Sequence, residues 1–231
     1  SRAEWGNSCY SLIMSLELSG TTPAIKGVAG SVSAPALTGD DVDTGISFPS
    51  ANTIKFSTGG VERMSITDSG VTGAGGKFAS YALICDSKGN TTDGGTFTSG
   101  AWRTRDLNQE ISDEDSIVSI SSNQFTLAAG SYLIKWKCPA MKVDHHVTKL
   151  ILITGSVSSF TEKAGSSSYA ADNAVVQNES FGVARVTLTG SGAFEIQHRC
   201  DVTKTTDGFG QPANGYASES IYTIVEIFKE S

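Results

Sequence analysis

The sequence predicts an all-β protein whose larger part is a β-sandwich or jelly roll. Glycine, serine and threonine supply 25, 32 and 23 of the 231 residues, about a third. Threonine favours strands, and none of the three is among the best helix formers. Apolar and polar residues alternate with period two in several segments, as in strands with one packed face. No segment shows a convincing amphipathic-helix pattern.

Residues 1–38 are interpreted as an attachment and connector segment. Apolar residues alternate with polar ones from Leu12 to Leu18 and predict one short strand. Glycines and prolines interrupt the following residues, so we expect an extended connector there. The chain begins without an initiator methionine, and we expect that a segment was removed or lies upstream.

Residues 39–76 are predicted to form a short β shaft. Turn residues separate three pairs of alternating apolar residues, which predicts short strands. These residues are too few to bury a core within one chain. We therefore expect the segment to pack against copies of itself or a neighbouring protein. The predicted interface residues are Ile46, Phe48, Ile54, Phe56 and Met64.

Residues 77–231 are predicted to form one head domain after a glycine-rich hinge at residues 73–76. Ile134 and Trp136 share one face of a segment whose other face carries lysines, which is typical of an antiparallel strand with one packed face. Strands are expected near residues 78–86, 101–107, 117–121, 124–128, 131–138, 146–154, 182–189, 193–201 and 221–229.

The last predicted strand, 221–229, is apolar on both faces. One face carries isoleucine, threonine and valine, and the other carries Tyr222, Ile224 and Phe228. A strand buried on both faces is central in its sheet or lies at a subunit interface. We therefore predict that Tyr222, Ile224 and Phe228 contribute to an interface between copies.

Residues 39–70 resemble a module that is common in phage fibre proteins. The resemblance rests on the strings GDDVDTGI at 39–46, ANTI at 51–54 and STGGVERMSITDSG at 57–70. In that family the module is a trimeric shaft or neck to which each chain contributes strands. The resemblance therefore implies a homotrimer and a location in the virion.

The head domain resembles the C-terminal domain of many phage tail and head fibres. The likeness is carried by residues 93–108, 125–132, 194–199 and 222–228. The Phe-x-Leu-x-x-Gly-x-Tyr step and the aromatic last strand are also similar to the C1q/TNF-like jelly roll, a homotrimer. The sequence contains no Gly-X-Y stalk of the kind that usually accompanies C1q domains, which disfavours a secreted C1q relative.

Charge and hydropathy disfavour several classes of function. A formal net charge of −7 argues against sequence-independent nucleic-acid binding, which depends on clustered lysine and arginine. No stretch approaches the roughly 18 apolar residues of a membrane-spanning helix, so we expect no membrane insertion. Residues 1–20 lack the basic start and the apolar stretch of a signal peptide.

We expect no cofactor and no metal site. The cysteines Cys9, Cys85, Cys138 and Cys200 form no CxxC pair, so a structural zinc site is disfavoured. Cys138 and Cys200 lie in alternating patterns and are interpreted as small buried residues.

Two acidic segments are interpreted as turns or loops. Asp40, Asp41 and Asp43 begin like a calcium loop but lack the spacing of an EF-hand, so a turn supported by Asx side chains is preferred. The second segment is interpreted as a solvated loop, with Ca²⁺ bound at a trimer apex as the alternative. It comprises Glu110, Asp113, Glu114 and Asp115.

The chain is not expected to be an enzyme. His145 and His146 point to opposite faces of their predicted strand, and His198 lies on a core face. No Ser-His-Asp or Cys-His arrangement follows from local motifs. A carbohydrate-active head is the alternative, because the separation of two catalytic carboxylates is a spatial property.

Loops 155–180 and 203–219 are long for a sandwich and are predicted to be recognition surfaces. Tyr169, Phe209 and Tyr216 are the aromatic residues in them that we predict to contact a glycan or a protein.

These observations predict a homotrimeric virion fibre or spike that displays its head for adhesion to a host-surface glycan or protein. Residues 1–38 would attach the fibre to another virion protein. A capsid-bound head fibre or decoration protein without a receptor role is the alternative within the same class.

Overall fold

The computed structural model describes residues 17–19, 24–26, 29–73, 78–157 and 160–230, the first two ranges by their backbone alone. All the secondary structure in these residues is β-strand, which confirms the predicted class. They include no helix with the length and hydropathy that a membrane crossing requires. The chain divides into two compact units, Ser1–Gly76 and Lys77–Ser231. Most of the predicted hinge lies outside the described residues.

The first unit contains a two-stranded hairpin and a five-stranded antiparallel meander. The hairpin pairs β1 (Glu17–Ser19) with β2 (Ala24–Lys26), and most of the strand predicted from Leu12 lies outside the described residues. The meander strands, paired in chain order, are β3 (Leu37–Thr38), β4 (Gly45–Ser47), β5 (Ile54–Thr58), β6 (Val61–Thr67) and β7 (Gly70–Thr72). Gly59 and Gly60 join β5 to β6 at φ 60° and 70°, a backbone that glycine adopts readily.

The second unit is built from ten strands. They are β8 (Phe78–Gly89), β9 (Arg103–Thr104), β10 (Gln109–Ser112), β11 (Val118–Ser121), β12 (Gln124–Leu127), β13 (Gly130–Met141), β14 (Asp144–Val157), β15 (Glu162–Ala170), β16 (Gln177–Cys200) and β17 (Glu219–Glu230).

These strands form two antiparallel sheets that share β16. Its first half pairs with β13 in a sheet of order β10-β8-β17-β13-β16. Its second half pairs with β14 in a sheet of order β11-β12-β16-β14-β15, beside the short β9. Two five-stranded sheets connected in this way form a jelly roll, as the sequence predicts.

The hydrophobic core lies between the two sheets of the second unit. Trp136 of β13 crosses this space, and its indole N–H donates a 2.8 Å hydrogen bond to Thr148 Oγ1 of β14. Cys138 and Cys200 are buried free thiols, as predicted, while Cys9 lies outside the described residues. The largest core cluster also includes Phe125, Leu127, Tyr132, Ile134, Leu150, Val186, Leu188, Phe194, Ile196, Val225 and Ile227.

Two strand predictions are wrong. Strand β15 lies within the predicted loop 155–180. Its serine-rich sequence gives little apolar alternation, yet its backbone pairs with β14 at a sheet edge. The separate strands predicted at 182–189 and 193–201 are the single strand β16. The glycine-rich residues between them continue the ladder to β14 instead of forming a turn.

Candidate functional site

One face of the first unit's meander is apolar. Cross-strand pairing places Phe56 opposite both Ile46 and Met64. Ile54 lies on the same face because side chains alternate along a strand, and Phe48, which follows β4, lines one hollow with Ile54. We call these five residues the meander face. The structure thus brings the five predicted shaft residues together.

The meander face is poorly covered within the described chain. Its residues are half-buried or exposed, and Phe48 keeps 42% of its surface accessible. The fully buried positions of the strands are instead Ser47, Ser57 and Ser65, which alternate with the apolar ones. Every buried hydrophobic residue in the described chain belongs to the second unit. The meander therefore has apolar side chains but no core of its own.

The first sheet of the head turns one face away from the core, and that face carries both apolar and charged side chains. We call it the outer sheet face, and it consists of cross-strand rungs from β8, β17, β13 and β16. Phe181 and Val183 of β16 expose 53% and 52% of their surface. The three rungs are Tyr81–Phe228–Leu133–Arg185, Leu83–Glu226–Lys135–Val183 and Cys85–Ile224–Lys137–Phe181.

The structure separates Tyr222 from the other two predicted interface residues of the last strand. Ile224 and Phe228 lie on the outer sheet face. Tyr222 is only 2% exposed, and its hydroxyl donates to the carbonyl of Thr92. The β8–β17 register shifts between Ile221 and Ile224, which breaks the simple alternation assumed from sequence. Tyr222 therefore packs within its own head domain and does not belong to the outer sheet face.

A cleft lined by three lysines crosses the outer sheet face from β8 to β16. Its volume is about 700 Å³, and Phe181, Val183 and Ile224 contribute to its apolar lining. Its lysines are Lys135 and Lys137 of β13 and Lys163 of β15. The other residues that line it are Tyr81, Leu83, Trp136, Ala164, Gly165, Ser166, Gly182 and Glu226. We call this feature the basic cleft.

An acidic hollow adjoins the basic cleft on the same face, and Tyr81 lines both. It is lined by the aromatic residues Phe78, Tyr81 and Phe228 and by the carboxylates of Glu114 and Asp115. The rings pack together, with Phe228 centroids 5.2 Å from Phe78 and 4.9 Å from Tyr81. Both carboxylate residues are exposed and form no ion pair with any described residue.

The three candidate recognition aromatics have different environments. Tyr216 is 92% exposed in the loop before β17, and Tyr169 is 48% exposed on β15. Phe209 is partly buried: its ring lies 4.4 Å from the ring of Phe97 and 4.2 Å from the guanidinium of Arg105. Of the three, only Tyr169 and Tyr216 expose a large part of their side chain to solvent. Phe209 packs beneath its own loop.

Arg105 is a fully buried cation that sequence analysis did not single out as such. Its Nε donates to Thr223 Oγ1 at 2.9 Å, Nη1 to the carbonyl of Pro139 at 3.3 Å and Nη2 to the carbonyl of Phe209 at 3.1 Å. It forms no ion pair within the described residues, and burial lowers its pKa. Arg105 therefore ties the loop before β17 to both β13 and β17 from inside the head.

Two buried histidines lie near this cation. His146 Nδ1 and His198 Nε2 share a 2.9 Å hydrogen bond, and the remaining nitrogen of each ring has no partner within the described residues. Burial, followed by the charge of Arg105, lowers the pKa of His146 to about 4. The same causes and the neighbouring His146 lower the pKa of His198 well below its ordinary value. Both rings are therefore neutral at pH 7.

The histidine pair predicts a head domain that loses stability in mild acid. The unfolded chain binds protons at the ordinary histidine pKa of about 6.5, whereas the folded pair resists protonation, so unfolding takes up protons. The free energy of unfolding should therefore fall as the pH drops below about 6.5, by about 1.4 kcal/mol per pH unit for each histidine. Chemical denaturation at pH 7, 6 and 5 measures this slope.

The matched controls for the pH prediction are single histidine substitutions. His198→Gln should flatten the slope, because one titrating group is removed. His146→Gln, which removes the other member of the pair, should flatten the slope as well. An equal slope in the His198→Gln protein would contradict the assignment of the acid sensitivity to the buried pair.

The acidic segments stabilise turns, except that Glu110 lies in strand β10 and not in the predicted loop. Thr44 Oγ1 donates to Asp41 Oδ2 at 2.7 Å, which confirms the predicted Asx-supported turn and lowers the Asp41 pKa. Asp113 accepts the backbone N–H groups of Ile117 and Val118 at 2.8 and 3.0 Å. No three His, Cys, Asp or Glu side chains within the described ranges converge as a metal site.

The basic cleft is the surface feature that sequence analysis missed. Lys135 and Lys137 have a clear alternation signal, and Phe181 and Val183 alternate with the buried residues of β16. These signals could have indicated an apolar outer face. The sequence could not have indicated that Lys163 belongs to this cleft. Its strand β15 was interpreted as a loop, and only the fold places β15 beside β16.

No protein-family model matches the sequence, and no curated protein matches it. Among solved structures, the globular domain of zebrafish complement 1qA is 13% identical with a TM-score of 0.42, over 64% of this chain and 95% of that one. Murine APRIL is 9% identical with a TM-score of 0.41, over 65% and 98%. The PRD1 vertex protein P5 is 12% identical with a TM-score of 0.40, over 68% and 100%. Likenesses this weak say nothing about function.

Proposed function

We propose that the chain is a homotrimeric fibre or spike protein of a virion. The first unit is its β shaft, and the second is a jelly-roll head for adhesion to a host-surface glycan or protein. The observation that carries the proposal is the meander face, a continuous set of large apolar residues that the described chain leaves poorly covered.

Burial of the meander face between copies would remove the free-energy cost of exposing its apolar side chains to water. Each large apolar side chain contributes about 1.5–3 kcal/mol when it is fully buried. Five such residues in each of three copies supply a core that a single meander lacks. The resemblance of residues 39–70 to a phage-fibre module independently implies a homotrimer.

The head supports assembly through its outer sheet face. Ile224, Phe228, Phe181 and Val183 form an apolar surface on a sheet whose opposite side already faces the domain core. Exposed apolar patches on soluble domains mark interaction sites. We propose that copies of the head meet through this face.

Adhesion is proposed to use shallow polar loops with exposed aromatic rings. Tyr169 and Tyr216 are the exposed candidates, and tyrosine supplies contact area with a polar end. Three weak sites on one trimer bind a multivalent surface more tightly than one site does. Loss of cell binding on replacing both tyrosines with serine, with the trimer intact, is the expected result. Turnover of a surface polysaccharide that one carboxylate substitution abolishes would contradict a purely adhesive role.

Attachment to another virion protein is assigned to residues 1–38. Labelling the head on intact particles locates the chain on the tail or on the capsid. Binding of the particles to host cells in the presence of excess free head then separates an adhesive fibre from a decoration protein. Competition by the free head is expected for the fibre.

Polar substitutions on the meander face are expected to abolish the trimer or weaken it strongly. Replacing Ile46, Phe56 and Met64 together with serine removes the apolar area that copies would bury. We expect the mass of the full chain in native buffer to fall from that of three copies, measured by light scattering. The second unit should keep its own cooperative unfolding transition, because its core is internal.

Val42→Ser is the matched control, because Val42 is apolar, 72% exposed and outside the meander face. It should leave the mass unchanged. A monomer in the unsubstituted protein would overturn the proposed assembly, and so would a trimer that survives the triple serine substitution without loss of stability.

A further inference from the structure

We propose that neighbouring heads join head-to-tail, with the acidic hollow of one copy against the basic cleft of the next. The inference rests on the proposed homotrimer and adds which surfaces meet and which charges select them. The occupant of the basic cleft is therefore a second copy of this chain.

The lysines of the basic cleft lack strong partners within their own chain. Lys163 forms no ion pair with any described residue, and Lys137 approaches Glu179 only to 3.7 Å. Lys135 lies 5.1 Å from the ring centre of Phe228. The cleft is thus a basic patch on a protein whose formal net charge is −7. A partner that carries carboxylates beside apolar groups would complement it.

The acidic hollow has the complementary chemistry. Glu114 and Asp115 are exposed and lie beside the aromatic residues Phe78 and Phe228. The adjoining strand β10 is the edge of the first sheet, and its Ile111 is 48% exposed. The same chain therefore presents carboxylates, aromatic rings and an unpaired strand edge beside the basic cleft.

The basic cleft and the acidic hollow are two different surfaces that adjoin on the outer sheet face and share Tyr81. Lys135 of the cleft lies 5.1 Å from the ring centre of Phe228, which lines the hollow. Two different complementary patches on one subunit make a heterologous contact, which closes into a ring when the rotation permits. In a closed ring of three heads, each basic cleft contacts the acidic hollow of one neighbour.

Zero-length cross-linking of the full chain tests this contact directly. A carbodiimide joins a lysine amine to a carboxylate only when the two groups touch, with loss of water. We expect cross-links between Lys137 or Lys163 and Glu114 or Asp115, identified by mass spectrometry. They should appear in bands at two and three times the chain mass and fade as the salt concentration rises.

Charge reversal distinguishes specific pairing from chance contact. Lys137→Glu with Lys163→Glu should abolish the cross-linked bands, and so should Glu114→Lys with Asp115→Lys. All four substitutions in one chain should restore them, because opposite charges face each other again. Arg199→Glu is the matched control: this exposed arginine belongs to the half of β16 that lies in the second sheet, so the bands should persist.

Light scattering of the same samples separates the two proposals. An unsubstituted monomer would overturn both the trimer and the head-to-tail contact. A trimer that yields no such cross-links, or keeps them in either charge-reversed variant, would overturn the contact and leave the trimer standing. If the amines of Lys137 and Lys163 in that trimer react fully with a soluble amine-modifying reagent, the basic cleft is open to solvent. The ligand of the cleft would then be an anion from outside the chain.

Discussion

Replacing Arg105 with alanine is expected to destabilise the head domain by about 4 kcal/mol, since a buried side chain is lost and its acceptors are left without a donor. The acceptors are Thr223 Oγ1 and the carbonyls of Pro139 and Phe209. The contact of the guanidinium with the Phe209 ring disappears as well. Urea denaturation of the full chain, monitored by tryptophan fluorescence, measures the change in the head transition.

Arg105→Met is the control, because methionine fills most of the same volume without donating hydrogen bonds. Its destabilisation should be smaller than that of the alanine variant, and the difference reports the cavity. Both variants should also flatten the acid dependence, because the positive charge of Arg105 helps to lower the pKa values of His146 and His198. A stability within about 1 kcal/mol of the unsubstituted protein would contradict the role assigned to Arg105.

Gly182→Ala is the second substitution with a large expected effect. An added Cβ would lie 1.9 Å from Cζ2 and 2.1 Å from Cε2 of the Trp136 indole. The ring cannot move freely, because it is buried and donates to Thr148 Oγ1. Overpacking of this kind costs about 3 kcal/mol, and Gly182→Val should prevent folding of the head. Thermal unfolding followed by near-UV circular dichroism reports the loss.

Gly190→Ala on the same strand is the matched control. The nearest atom to its added Cβ is Ser156 Cβ at 3.8 Å, an ordinary contact, so stability should barely change. A smaller ring should relieve the clash, and Trp136→Phe combined with Gly182→Ala should lose less stability than the two single substitutions predict together. Purely additive losses would show that the two residues do not compete for space.

Local alternation was enough to predict most of the head strands and the meander residues. Ile134 and Trp136 face the core as their spacing indicates, and the five residues of the meander face share one side of their sheet. The prediction worked because a strand places successive side chains on opposite faces whatever its neighbours are. Tyr222 followed the same spacing and still lies inside the head, because a register shift between β8 and β17 interrupts the alternation.

Local alternation could not predict strand β15 or the continuity of the long strand β16. The sequence of β15 is rich in serine and has few apolar residues, so only the backbone ladder to β14 makes it a strand. The glycines of β16 carry the local signal of a turn, but pairing with β14 holds the strand extended there. Edge pairing and continuity between sheets depend on partners that are distant in the chain.

By itself the sequence determined the all-β class, the division between a core-poor first unit and a core-rich second unit, and the apolar residues of each. These are properties of composition and of period two, which act locally. Only the tertiary structure decided that Arg105 and the histidine pair are buried together. It also placed lysines from β13 and β15 around one cleft and put carboxylates in the hollow that adjoins it. Such groupings join residues that are far apart in the chain, and strand order sets which of them meet.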